Sequence, residues 1–317
     1  SPNFCYAGHL DVVPPGNLND WVVNPFKPAV KKGYLIGRGA NDMKSSIAAF
    51  VTAVSNFSKI NKKFDGSISL LITGDEEGIA INGTKKVVEY LRKRKEKIDF
   101  CLVGEPTNPN KLGEMIKIGR RGSMTGKLSV IGIQGHVAYP NRANNPSTAL
   151  VRILKKLKEI KFDRGTKDFQ PTNLEITKIN IDNSADNVIP GLASASFNIR
   201  FNNKHTSYKL KNKINKIIKQ ICNKNKSKYK IEYSVSGEAF LTKPNKTTFM
   251  IQNTIKKVTK IKPKLSTTGG TSDARFIRKI APCLEFGLVG KTMHKVGECV
   301  SLSDLKRLTL IYTKILD

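Results

Sequence analysis

The sequence predicts an α/β domain interrupted by a smaller α+β domain, and three observations carry that reading. Apolar strands alternate with amphipathic helices over residues 3–104. The order changes to strand-helix-strand-strand-helix-strand between about 122 and 236, and helices alternate with short strands again from 238 onward. Strands alternating with helices argue for a largely parallel sheet with helices on its faces. The βαββαβ order is the ferredoxin-like arrangement, which suits a compact insert. The expected division is 1–121 and 237–317 for the interrupted domain, with 122–236 as the insert. A chain of 317 residues exceeds the usual single-core size, in keeping with two domains.

Taken in order, residues 4–8, 67–73 and 100–104 are apolar strands, each running into a loop that holds glycine or an acid. Ile47, Phe50, Val51, Val54 and Phe57 keep helical spacing, as do Val87, Val88, Tyr90 and Leu91. In the insert, strands are expected at 127–133, 173–181, 193–201 and 230–235, with helices at 147–160 and 208–222. After it, 248–259 and 302–316 have helical patterns and 283–289 that of a strand. The chain starts almost directly in a core strand, without an initiating Met, so a preceding N-terminal piece is expected to be absent.

The charge is the most prominent feature of the composition. Lys plus Arg number 55 against 25 Asp plus Glu, a net +30, which invites a nucleic-acid reading. Only 12 of the basic residues are Arg, however, and the Lys keep company with Ile and Asn, as in residues 213–230 (KINKIIKQICNKNKSKYK). Nucleic-acid surfaces favour Arg forks and interleaved aromatics. That run has no Arg and one aromatic, so it is read as a solvated face. No apolar run approaches the ~20 residues that cross a bilayer, and the first residues form no signal peptide, so membrane insertion is excluded. Five scattered cysteines without a CxxC argue against a disulfide framework and fit a reducing, cytoplasmic setting.

Chemistry concentrates where strands end. His9, in Gly-His-Leu-Asp, closes the first strand, the edge where open α/β sheets bind ligands. Asp11, two residues on, is placed to orient its imidazole. Asp42 lies between a glycine-rich loop and a helix start; taken alone, it reads as a helix cap. Asp75, Glu76 and Glu77 form an acidic turn after the second strand, and Glu105 follows the third. His294 follows the apolar stretch 286–290. Singly, each has a bland reading as a surface histidine or solvated acid. Together, His9, Asp42, Glu77, Glu105 and His294 can meet at one sheet edge. Five N/O ligands with a bridging carboxylate suit two zinc ions about 3.5–4 Å apart. Of the adjacent Glu76 and Glu77, one can then bind metal while the other stays free as a general base.

The segments GHLDVVPPG (8–16), GRGANDMKSSIA (37–48), LLITGDEEG (70–78) and CLVGEPT (101–107) resemble the zinc aminoacylase/carboxypeptidase family of metallopeptidases. INGT (81–84), IKIGRRGS (116–123), GIQGHVAYP (132–140), STTGGTSDARF (266–276) and EFGLVGKTMHKV (285–296) are similar to its narrower desuccinylase branch. The resemblance runs the length of the chain. It implies a zinc-peptidase-like catalytic domain with a dimerisation insert, and hydrolysis of a succinyl amide on a substrate bearing several carboxylates. Two zinc ions per subunit, replaceable by cobalt, would be held by His9 with Glu105 and by Glu77 with His294, Asp42 bridging. Glu76 matches the catalytic base, and Asp11 stands behind His9. His136 matches a residue that reaches a partner subunit's site, which implies a homodimer. Arg120, Tyr139, Asn187, Arg200, Thr271 and Arg275 match substrate-binding positions. Leu10, Ser45, Ile79 and Gly297 depart from the usual pattern without removing a ligand. His205 matches no motif and is read as a surface residue. Another deacylase or exopeptidase of the same family, and a basic nucleic-acid-binding protein, are the alternatives.

Overall fold

The computed structural model describes residues 2–317. Its main elements begin with β1 (Asn3–His9), α1 (Ser45–Ile60), β2 (Ser67–Thr73), α2 (Thr84–Lys93), β3 (Phe100–Val103) and β4 (Met115–Lys117). Next come β5 (Gly122–Ile131), α3 (Pro146–Lys158), β6 (Asn173–Asn180), β7 (Leu192–Phe201), α4 (Ser207–Lys224) and β8 (Lys228–Gly237). The chain closes with α5 (Lys246–Thr259), β9 (Lys264–Ser266), β10 (Cys283–Glu285) and α6 (Leu302–Leu316). It divides into two compact units, one of 1–120, 241–267 and 272–317, the other of 121–240 and 268–271.

The first unit is built on a six-stranded sheet of order β9-β4-β10-β3-β1-β2. Neighbours run parallel except β10 and β4, which pair antiparallel, so the sheet is mixed. β1 is buried from Cys5 through His9, as a central strand covered on both faces should be. Tyr6 stacks on Phe50 of α1 at 4.1 Å, and both meet Tyr312 of α6 edge-on at 5.6 Å. The Tyr312 hydroxyl donates to the Phe286 carbonyl at 2.7 Å, tying the final helix to the sheet. Because β1, β2 and β3 are parallel neighbours, the residues that follow their C-terminal ends emerge at one edge.

Two features here lie outside the sequence expectations. The strand expected over 283–289 is regular only at Cys283–Glu285. Residues 29–31, 34–36 and 299–301 form a separate three-stranded sheet, too short to register as a pattern.

The second unit carries a four-stranded antiparallel sheet of order β6-β7-β5-β8, with α3 and α4 packed on it. Leu210, Ile214, Ile218 and Cys222 supply the buried stripe of α4 at intervals of four. Lys209, Lys213, Lys216, Lys219 and Lys224 are exposed on the same helix. Gly122 and Gly126 of β5 face the rings of Phe201 and Phe197 across the pair. A Cβ at Gly126 would come within 2.3 Å of the Phe197 ring, so glycine makes room for the aromatic. His205, read as a surface residue, is partly buried: its Nε2 lies 3.0 Å from Asp163 Oδ2 and its side chain is 20% exposed.

Candidate metal centre

Seven residues meet at the C-terminal edge of the first unit's sheet. His9, at the end of β1, is 2% exposed. Its Nδ1 is 3.0 Å from the Asp11 carbonyl, and its Nε2 is 3.2 Å from Asp42 Oδ1 and 4.0 Å from Glu105 Oε1. The other oxygen of Asp42 lies 3.1 Å from His294 Nε2, which is also 2.9 Å from Glu77 Oε1. One carboxylate thus stands between two imidazoles.

The local backbone explains how Asp42 gets there. Residues Ala40–Lys44 form a wide, irregular turn in which Asp42 has non-helical dihedrals (φ −119°, ψ 93°), and α1 begins only at Ser45. Asp42 caps no helix, so the simpler reading of this residue taken alone does not describe it. Gly39, at φ +80°, enters the turn in the left-handed region, and a Cβ there would meet Val12 at 2.6 Å.

The acidic turn is held by a different set of bonds. Asp11 accepts the backbone N–H of Glu76 at 3.2 Å and of Glu77 at 3.0 Å. Asp75 turns away and accepts the N–H groups of Ala80, Ile81 and Asn82. Asp11 therefore braces the loop that follows β2, besides lying 3.4 Å from His9 Nδ1.

Electrostatics follow from burial and crowding. Burial, then the charges of Asp42 and Glu76, raises the Glu105 carboxyl well above its usual range. Burial and Asp42 raise Glu77 as well. Glu76 is pushed up to about 7, first by burial and then by the nearby charge of Asp273. Burial would lower His9, but its hydrogen bond to Asp42 and the surrounding carboxylates carry it up to about 10. The bond to Asp42 leads in raising His294 to about 9. Burial opposes ionisation of Asp42, yet its bonds to His294 and His9 hold it down at about 2. In this arrangement protonated imidazoles supply the positive charge that the crowded acids require.

A divalent cation could supply that charge instead. Two groups, His9 with Asp42 and Glu105, and Asp42 with Glu77 and His294, have ligand atoms all within 4.8 Å of one another. Both are made of imidazole nitrogen and carboxylate oxygen, the donors that suit zinc and similar ions. The groups share Asp42, so the residues fit a pair of ions bridged by one carboxylate. A third group, His9 with Glu76 and Glu77, overlaps them.

Of the expected substrate-binding residues, two lie in the first unit. Arg120 makes a buried, forked pair with Glu285, which also accepts from Ser272 Oγ at 2.7 Å. Arg275 stands 3.8 Å from Asp273, with its side chain 8% exposed and its Nε buried without a partner. The second unit holds His136, Tyr139, Asn187, Arg200 and Thr271. There the strand pair 135–136 with 188–189 brings three of them together. The Val137 N–H donates to the Asn187 carbonyl at 3.0 Å, and the His136 and Tyr139 rings are 5.8 Å apart. Arg200 lies on β7 opposite Ser123. Sequence reasoning missed Asp273 beside Glu76, and missed Arg38 and Glu298 beneath Asp42. Each sits in a segment rich in other signals, and none has a local pattern of its own.

The chain is 77% identical over 315 residues to succinyl-diaminopimelate desuccinylase of Pelagibacter ubique (strain HTCC1062), covering 99% of this chain and 82% of that protein. The M20 family metallo-carboxypeptidase Sso-CP2 of Sulfolobus solfataricus shares the fold with a TM-score of 0.80 at 18% identity, over 99% of this chain and 84% of that one. So does the YXEP protein of Bacillus subtilis, described as a dinuclear metal binding peptidase, with a TM-score of 0.72 at 13% identity over 99% and 80% of the two chains. The profile of peptidase family M20/M25/M40 matches residues 5–317, which takes in all seven residues of the edge cluster. With every donor inside a match that spans nearly the whole chain, the chain belongs to peptidase family M20/M25/M40.

Proposed function

We propose that this chain is a metal-dependent amidohydrolase that cleaves N-succinyl-LL-2,6-diaminopimelate to succinate and LL-2,6-diaminopimelate, a step of lysine and diaminopimelate biosynthesis in the cytoplasm. The observation that carries the chemistry is Asp42 shared between two donor groups. The substrate is favoured by 77% identity to a desuccinylase over nearly the whole chain.

In this reading His9 and Glu105 hold one zinc ion, Glu77 and His294 the other, and Asp42 both; cobalt can take their place. Ions bound there would supply Lewis acidity for water activation near neutral pH. Glu76 takes the proton of the attacking water and returns it to the leaving amine. Burial raises the Glu76 carboxyl above its usual range, the direction that strengthens a carboxylate as a general base. Asp11 keeps His9 in one orientation and braces the Glu76–Glu77 backbone.

The substrate carries three carboxylates, which Arg recognises by forked bonds. Arg120, Arg200 and Arg275 take this part, Glu285 fixing the plane of Arg120, with Tyr139, Asn187 and Thr271 contributing polar contacts. Residues 122–236 act as a ferredoxin-like dimerisation domain, supported by the antiparallel order β6-β7-β5-β8 with two helices. His136 reaches the partner subunit's site and stabilises the developing oxyanion, a contribution of about 10²–10³ in rate for one such donor.

Steady-state kinetics with succinyl-diaminopimelate and with acetylornithine test the assignment. The expected result is a clear preference in kcat/KM for the succinyl substrate. A preference for acetylornithine would assign the chain to another deacylase reaction of the family.

A further inference from the structure

We infer that the buried Arg38–Glu298 pair is a positioning device for the metal centre, setting Asp42 between His9 and His294; this rests on the metal-centre reading above. Glu298 is fully buried, and its Oε1 accepts two consecutive backbone N–H groups, from Asn41 at 2.8 Å and Asp42 at 3.0 Å. Two successive peptides converging on one oxygen fix the orientation of the Asp42 backbone. The carboxylate of Asp42 then has only its own side-chain torsions left to choose.

The second oxygen of Glu298 accepts from Arg38 Nη1 at 2.6 Å. Arg38 extends the same constraint outward. Its Nη1 also donates to the Lys295 carbonyl at 3.2 Å, one residue past His294. Its Nη2 donates to the Pro14 carbonyl at 3.1 Å, in the loop that leaves His9 and Asp11. The guanidinium lies 5.3 Å from the Trp21 ring, whose Nε1 donates to the Pro15 carbonyl at 2.9 Å. One ion pair thus ties the loop that follows His9 to the loops that carry Asp42 and His294. Those loops have little regular structure to hold them. Asp42 sits in an irregular turn, and His294 has φ +62°.

A buried ion pair is a weak stabiliser compared with apolar side chains of similar volume, so its presence here is better explained by geometry than by stability. Outer partners of metal ligands commonly change metal affinity by about 10–100-fold when altered. Arg38 and Glu298 touch no substrate in this account; they act through Asp42.

The test uses the full chain stripped of metal and titrated with zinc in competition with a chromophoric chelator. The Arg38→Met/Glu298→Met double variant replaces the pair by apolar side chains. Its zinc affinity should fall about 10–100-fold; its metal-free Tm should fall as well, because the Asn41 and Asp42 N–H groups lose their acceptor. Glu298→Gln keeps an acceptor for the two amides and loses the charge, so it should fall less; it also carries the test if the double variant does not fold. Cobalt spectra of both variants should show altered d–d bands. If the unmodified chain binds zinc and the variants match it in affinity and spectrum, the positioning role is overturned alone. If the unmodified chain binds no zinc, the metal centre and this role both fall.

Discussion

Glu76 and Glu77 are neighbours in sequence with different surroundings. The Glu77 carboxylate lies 2.9 Å from His294, while Glu76 answers mainly to burial and to Asp273. Glu76→Ala should therefore leave metal content near two ions per chain and lower turnover by about 10²–10⁴, the usual scale for losing a general base. Glu77→Ala should lose metal. Elemental analysis of the purified variants beside their kcat would expose reversed roles as metal loss in the Glu76 variant. His9, Glu105 and His294 were legible because each follows an apolar strand or stretch, and parallel strands deliver such residues to one edge. Asp42 was legible only jointly, since by itself it looks like a helix cap. Arg38 and Glu298 were not legible at all. They stand 260 positions apart and meet because residues 299–301 pair with residues 34–36.

At the scale of elements, the long strands and helices followed directly from apolar spacing, and the misses were short or irregular pieces. The turn at Ala40–Lys44 has no periodicity to read, and strands of three residues carry too few side chains to alternate. The loop between α3 and β6 shows a further limit of sequence reading. There Asp163 accepts from the Gly165 and Thr172 N–H groups and from Asn202 Nδ2, and it lies beside His205. Burial opposes its ionisation, but these bonds win and hold it down at about 2, below its ordinary 3.8. A lowered pKa stabilises the fold above the unfolded value, and that contribution is lost as pH falls from about 4 towards 2. Asp163→Asn should therefore lose about 2 kcal/mol at pH 7. Measured by urea unfolding, the gap between the two proteins should narrow by about 1 kcal/mol between pH 6 and pH 3. A gap that stays constant over that range would remove Asp163 as its source.

Across the whole molecule, the +30 charge and the chemistry occupy different residues. The excess is Lys, and on α4 those side chains point to water. The working acids and imidazoles line the sheet edge and contribute little to the net charge. Such a field can draw in an anionic small substrate, an effect that salt weakens. Sharing of the site between subunits is tested by mixing inactive partners. His136→Ala and Glu76→Ala chains, each with little activity, should regain part of it when combined, because one mixed site then holds both an intact His136 and an intact Glu76. Mixtures that stay as inactive as their components would confine His136 to its own subunit or remove its role.

In the proposed two-metal hydrolytic centre, five residues from distant parts of the chain, His9, Asp42, Glu77, Glu105 and His294, act as one unit. The most direct test of that arrangement is to strip the chain with a chelator and add zinc back stepwise, following both bound metal and succinyl-diaminopimelate hydrolysis. Activity should vanish on stripping and return as metal rises towards two ions per chain, and Asp42→Ala should abolish uptake of both. Full hydrolysis by the metal-free chain, or normal uptake by the Asp42 variant, would contradict it.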